Sequence, residues 1–363
     1  VLRSFAKYVV LCSMALAPLR GMAQDPVFAQ YYLNLNYLNP SFAGYTNDLT
    51  AHLNSRMQYI GVPGPLMSHT LSANISCEEE TRLGIGVLAY HNIEGEGYLQ
   101  TLNFSGQLSA NFPFKVHTKA RVNKGLVAGG IQFGMGQKYI DWSRLTFTDQ
   151  YSPYFQGIQG PSSIVGQQSS SNLFLDVGAG LRATYEFGDG RRPKFVSFGA
   201  AGHHLNRPVQ SFLESDLKLE PRWSFYAFYY LGNSKRGRTR DLRYWTLGAL
   251  ADYQQGLQIH TLSMFKDLNE YLTVGASVRR QNFLFLDRSV DAVIPHFTIR
   301  WENISIGASY EWTVSTLGEE KTFGSAEIGF TWRFEGRNLC RTYKKSCAIK
   351  GFDMGHDLPN LFF

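Results

Sequence analysis

The sequence predicts an all-β fold: a transmembrane antiparallel β-barrel of about 14 strands with a short N-terminal plug segment. Three observations predict it. Long segments alternate strictly between apolar and polar residues, their count is even, and no run of 18 apolar residues offers a membrane-spanning helix. In the first segment Leu49, Ala51, Leu53, Met57 and Tyr59 make an apolar face, and Thr50, His52, Asn54, Arg56 and Gln58 a polar one.

The chain begins with the pattern of a secretory signal over residues 1–23. Arg3 and Lys7 are basic, Tyr8 to Leu19 is a short apolar run, and Gly21 and Ala23 put small residues at −3 and −1 of a cleavage after Ala23. Cys12 follows bulky Leu11 inside that run, which is not a lipoprotein pattern. Losing Arg3, Lys7 and Arg20 with no acidic residue takes the net charge from +6 to +3. Export brings the chain into an oxidising compartment, where Cys340 and Cys347 are close enough in sequence to bridge, leaving Cys77 single. The cysteine spacing is not that of a zinc site.

Residues 24–46 are the expected plug. Val27, Phe28, Tyr31, Leu35 and Leu38 recur at near-helical spacing, and Asn34, Asn36 and Asn39 suit a polar lumen. The expectation is a short helix that enters the pore from the periplasmic side and is stopped by Asn39-Pro40.

The barrel is expected over 47–334, with strands near 49–59, 66–75, 82–92, 98–111, 124–136, 172–187, 194–206, 220–231, 240–252, 256–266, 271–282, 289–300, 302–313 and 322–334. Each is long enough to cross a bilayer at a tilt, whereas a secreted sandwich would use shorter strands. Aromatics such as Tyr59, Tyr98, Phe187, Trp223, Tyr253, Phe283, Trp301 and Trp332 fall near segment ends, where girdles sit. Gly188-Asp189-Gly190 and Gly232-Asn233 suit tight hairpins. In the last strand Gly329, Trp332 and Phe334 have the spacing of a barrel-assembly signal, with Ile328 at a normally polar position. Residues 335–363 form a periplasmic C-terminal tail.

With both termini in the periplasm, the longest connection, 137–171, faces outward. Basic residues then gather on the inner rim: Lys115, Lys119, Arg121 and Lys124; Arg191, Arg192 and Lys194; Lys235, Arg236, Arg238 and Arg240; and Arg337, Arg341, Lys344 and Lys345 in the tail. Only Glu78, Glu79 and Glu80 oppose them. Two readings stay open, a solvated rim and a surface for an anionic periplasmic partner.

Four blocks then carry a family resemblance. Gln24 to Gly44, with Tyr31 and the run Asn39, Pro40, Ser41, Phe42, Ala43 and Gly44, resembles the mature start of the PorP/SprF family of outer-membrane proteins of the type IX secretion system. Arg56 and Gln58, with Tyr59 in a tryptophan position, are similar to a second block. Asp141, Trp142, Phe147, Asp149 and Gln150 resemble a third, and His204, Leu205, Asn206, Arg207 and Pro208 a fourth. The resemblance runs from about Gln24 to Cys340; Tyr59 and the longer tail depart from it. It implies help in the secretion or surface attachment of cargo such as the adhesins of gliding bacteria. It also implies contact with periplasmic ring or peptidoglycan-associated proteins.

Enzymatic signatures are absent. There is no GxSxG, HExxH or P-loop, and Gly178-x-Gly180 lies within a strand. His203 and His204 are expected on opposite strand faces, and Asp353, His356 and Asp357 lie in the tail. No enzyme activity, cofactor, metal or nucleic acid partner is expected, and the surroundings are outer-membrane lipid. The competing function is a hydrophobic-substrate transporter with an N-terminal hatch; an outer-membrane lipase-like enzyme is a distant third.

Overall fold

The computed structural model describes residues 25–46, 48–77, 83–117, 122–152, 157–158, 160, 162–163, 169–189, 192–210, 218–234, 242–283, 290–315 and 319–334. Fourteen strands close into an antiparallel barrel: β1 (Leu49–Met57), β2 (Leu66–Cys77), β3 (Leu83–Glu94), β4 (Leu99–His117), β5 (Val122–Tyr139), β8 (Phe174–Asp189), β9 (Arg192–His203), β10 (Arg222–Ser234), β11 (Leu242–Gln254), β12 (Leu257–Asp267), β13 (Leu272–Phe283), β14 (Val290–Trp301), β15 (Ile304–Thr313) and β16 (Ser325–Phe334). Each strand pairs with its sequence neighbours, and β1 closes the ring on β16 from Leu49↔Phe334 to Met57↔Ala326. A small ladder, β6 (Tyr151–Ser152) with β7 (Gly157–Ile158), lies in the β5–β8 connection.

Burial is inverted relative to a water-soluble domain. Thr50, His52, Asn54 and Arg56 of β1 are buried, while Leu53 between them is exposed. Leu181, Leu262 and Trp301 are 65%, 68% and 73% exposed on the outer wall. Apolar residues outside and polar residues inside are what a barrel in lipid requires, because closure satisfies every backbone donor that lipid cannot. None of the described helices is long and apolar enough to cross a membrane. Trp223, Trp301 and Trp332, expected in girdles, do face outward near strand ends.

Several strands run a few residues past the expected limits, and the largest extension is in one hairpin. β4 and β5 stay paired out to His117↔Val122, although β3 leaves β4 at Ala110. Alternation of exposed Phe112, Phe114 and Val116 carries the strand on, so Lys115 and Lys124 are a cross-strand pair and not turn residues. Likewise Arg192 and Lys194 belong to β9. Lys119, Arg121, Arg191, Lys235, Arg236, Arg238 and Arg240 lie outside the described residues, as do the expected leader over 1–23, Cys340, Cys347 and the expected tail.

A polar lumen occupied by the N-terminal segment

Residues 25–46 run inside the ring of strands. Phe28 to Leu33, Leu35, Asn36 and Leu38 to Thr46 are all buried. The helix there is shorter than the spacing suggested: one turn, α1 (Leu35–Leu38), followed by a 3-10 turn at Pro40–Phe42. Asn39 ends the first and begins the second. Its backbone is extended, its N–H reaches Leu35 O, and its side-chain oxygen accepts from Ser41 N at 2.8 Å. Pro40 supplies the fixed φ of a first turn and no donor that would go unmet.

The segment crosses the whole lumen. Asp25 meets Gln254, His204 and Arg222 at the end of the barrel where β9 and β11 finish. Ala43 and Gly44 lie against Gly84 and Ser109, towards the end where β1 begins. The expected entry from below is therefore corrected: the amino side of the segment is at the far mouth. Nothing in the residue pattern encodes that direction, because apolar spacing is the same read either way.

Polar contacts hold the segment from many sides. Glu327 accepts from Ala29 N at 2.6 Å and Gln30 N at 3.1 Å, and Gln30 Nε2 donates to Glu327 O at 2.9 Å. Asn36 and Gln107 bond reciprocally, Nδ2 to Oε1 at 2.7 Å and Nε2 to the Asn36 carbonyl at 2.8 Å. Asn39 Nδ2 donates to the strand carbonyls of Leu181 and Ala200, at 3.0 and 3.2 Å. Tyr31 donates to Ser263 at 3.1 Å, and Tyr32 OH lies 3.3 Å from His296 Nδ1. The Arg182 guanidinium lies over the rings of Phe42 and Tyr45 at 4.8 and 5.2 Å, a cation–π contact strengthened by desolvation. Asn34, expected to do the same work, leaves its buried Nδ2 without a partner among the described residues.

Glycines in the wall make room for this. A Cβ at Gly180 would stand 2.1 Å from Asn39 Oδ1, and one at Gly130 2.4 Å from Ser41 N. Gly44 has φ +62°, a region costly for side-chain-bearing residues, and its Cβ would meet Gly84 Cα at 2.3 Å.

The motif residues fall into three places. Arg56 lies in the lumen, holding both oxygens of Glu311 and standing 3.7 Å from Glu327. Arg279 joins the cluster through Glu311 and Asp291 at 2.6 and 2.9 Å. Gln58 closes β1 onto β2 through its backbone, donating to Leu66 O at 2.8 Å. In the β5–β8 connection, Asp141 caps a turn at Trp142–Arg144, and Trp142 and Phe147 pack at 6.2 Å. Asp149 accepts from Ser162 Oγ and from Ser163 N and Oγ, and Gln150 donates to Gly160 O at 3.1 Å. These contacts tie part of the second half of the loop back to the first.

His204 differs from expectation. β9 ends at His203, and His204 takes φ +56°, so both rings turn towards the N-terminal segment, 6.5 Å apart. His204 bridges Asp176 and Asp25, at 2.8 Å each, and Arg222 stands 3.2 Å from Asp25. Burial disfavours the His204 charge, but Asp25 and the bonds to both carboxylates win and raise its pKa to about 9. Burial likewise opposes the Asp25 charge, yet His204 and Arg222 hold it well below the usual carboxylate range. Asn206 bonds the β8 backbone at Leu175 O and Val177 N, and Pro208 accepts from Leu219 N. Among the described residues no group of three or more His, Cys, Asp or Glu side chains is arranged to hold a metal ion.

Glu327, Glu311, Arg279, Gln107, Arg182, Arg222 and Asp25 were not singled out from sequence. All but Asp25 are charged or amide residues at inward positions of alternating strands, and that signal was present.

Fold and lumen define the class: an outer-membrane β-barrel whose polar interior is occupied by its own N-terminal segment. The sequence matches the model for "Type IX secretion system membrane protein PorP/SprF" over residues 21–332. The chain belongs to the PorP/SprF family. No curated protein matches it. Solved barrels are similar in outline. The Pseudomonas putida toluene transporter TodX is 11% identical, with 86% of this chain and 96% of that one covered and a TM-score of 0.34. The Acinetobacter baumannii outer membrane protein Omp33 is 10% identical, covering 80% and 100%, with a TM-score of 0.39. The CymD monoaromatic hydrocarbon channel is 10% identical, covering 85% and 93%, with a TM-score of 0.40. Likeness at this level is limited to the fold.

Proposed function

We propose that this barrel is a non-enzymatic component of the type IX secretion system that assists secretion or surface attachment of particular cargo, such as adhesins. Residues 25–46 act as a plug, so the lumen is a closed scaffold and not an open pore. The family match across residues 21–332 carries the first part of this reading. The ring of hydrogen bonds around Gln30, Asn36 and Asn39 supports the second. Periplasmic ring or peptidoglycan-associated proteins dock on the inner side, where the basic residues Arg191, Arg192, Lys235, Arg236, Arg238 and Arg240 supply a summed positive potential. Cargo is met on the outer side, at the loop ordered by Asp141, Trp142, Asp149 and Gln150.

Purification of the tagged protein from membranes tests this. Co-purification of secretion-ring proteins and a large surface protein is expected. Recovery of the barrel with a bound hydrophobic molecule and no protein partner would favour a transporter with a hatch.

A further inference from the structure

We infer that the Asp25 end of the segment lies at the outer mouth of the barrel, so the plug is a strap fixed at both ends. The strap is covalently fixed at the inner rim, where Thr46 bonds Thr50 at 2.8 Å just before and within β1. At its other end Asp25 is clamped by His204 and Arg222, and Tyr37 packs beneath the Arg222 guanidinium at 4.3 Å. That second end belongs to the mouth carrying the connections 140–173 and 204–221, the longest in the barrel. The opposite end carries short connections such as 268–271 and 302–303. Outer-membrane barrels put short turns in the periplasm and long loops outside, so the clamp is on the cell surface. The strap therefore cannot be drawn into the periplasm without breaking the Asp25 ion pairs. A partner at the cell surface can reach the clamped end of the strap.

Three placements of one short tag test the topology: between Gln24 and Asp25, at Gly160, and in the Glu302-Asn303 turn. Intact cells are exposed to a membrane-impermeant probe, and folding is checked by heat-modifiable migration. The first two tags should be reached and the third only after permeabilisation. If the insertion before Asp25 prevents folding, Pro26→Cys in a chain lacking its own cysteines gives the same reading with an impermeant maleimide. Labelling of the Asp25 or Pro26 site only in the company of the Glu302-Asn303 tag overturns the inference. The outcome does not depend on cargo or on channel closure.

On the outer wall a different observation carries a second inference: we propose that β9 to β12 bind the headgroup of an anionic phospholipid. Lys194, Arg243 and Lys266 alternate with lumen-facing Phe195, Tyr244 and Phe265, and so face outward, each within two residues of the inner end of its strand. Lys194, Leu231, Trp245 and Lys266 lie in one register row across four strands. At the usual strand spacing the two lysines are roughly 14 Å apart, with Arg243 below them. Lys266 stands 4.6 Å over the Trp245 ring, at the depth where aromatic belts sit. At the inner ends of the other strands the described outward residues include Leu49, Leu83, Phe114, Trp301 and Trp332, and none is Lys or Arg. Cations that merely tolerate the interface would be spread around the ring. Three on neighbouring strands, flanked by apolar Val196, Leu247 and Met264 at acyl depth, complement a phosphate headgroup.

Purified protein offered equal phosphatidylglycerol and phosphatidylcholine should retain the former preferentially, with the preference falling as salt rises. K194Q/R243Q/K266Q should lose the preference while keeping its heat-modifiable barrel; if that variant does not fold, K266Q and R243Q singly must each lower it. Equal retention of both lipids by the native protein, or an unchanged preference in the folded variants, overturns the proposal.

Discussion

Replacing Gly130 by alanine should loosen the strap without changing any of its own residues. Its Cβ would stand 2.4 Å from Ser41 N and 2.5 Å from Pro40 C, where ordinary contact begins at 3.4 Å. The 3-10 turn must therefore retreat by about 1 Å, and both clashing atoms are backbone, which cannot rotate away. Overpacking of this kind costs about 1–3 kcal/mol. Each 1.4 kcal/mol is about tenfold in an equilibrium, so the displaced state should rise about 5- to 150-fold. Gly106→Ala is the control, because nothing lies within 4 Å of a Cβ there. The assay is open probability in planar bilayers. Gly130→Ala should open more often than Gly106→Ala, and in a chain lacking Val27 to Asn39 the two should behave alike. Equal open probability of the two variants in the intact chain would refute the packing argument.

Other outcomes follow from the same geometry. Arg56→Ala leaves Glu311 and Glu327 buried without their shared guanidinium and should destabilise the barrel by about 3–5 kcal/mol, read from urea unfolding in micelles. The His204 pKa is raised from 6.5 to about 9, so its contribution to the Asp25 clamp is full below pH 6.5 and lost as pH rises through 9. Asp25 is lowered, so its contribution is present above pH 3.8 and lost only on stronger acidification. The mobility of a spin label attached beforehand to Pro26→Cys should thus rise above pH 9, and the same label in a His204→Gln chain should show no such step. Asp149→Ala removes the acceptor for Ser162 and Ser163 and should increase limited proteolysis at 157–163 while sparing 139–145. Reversing Lys235, Arg236, Arg238 and Arg240 together should leave the barrel inserted yet weaken capture of periplasmic partners more than alanine does. Single exposed pairs contribute only about 0–1 kcal/mol, so only the cluster should matter.

Strand number and most strand limits were legible because lipid outside and a polar lumen inside impose a period of two on long segments. Leu49 to Met57 and Phe174 to Phe187 follow it closely. The longer β4–β5 ladder was missed because Lys115 and Lys124 resemble turn residues, although Phe112, Phe114 and Val116 keep the alternation. His204 was misplaced because a positive φ breaks the period at one residue, and no neighbour signals it. Asn39 and Pro40 marked the turn in the segment correctly, since their chemistry is local. The direction of the strap and its partners Glu327, Gln107 and Arg222 depend on contacts between residues far apart in sequence, which periodicity does not encode.

The most direct measurement of the account is single-channel recording of the purified protein beside a chain lacking Val27 to Asn39. A closed scaffold predicts little conductance in the intact protein and large, steady conductance after the deletion. A wide-open channel in the intact protein, unchanged by the deletion, would contradict it.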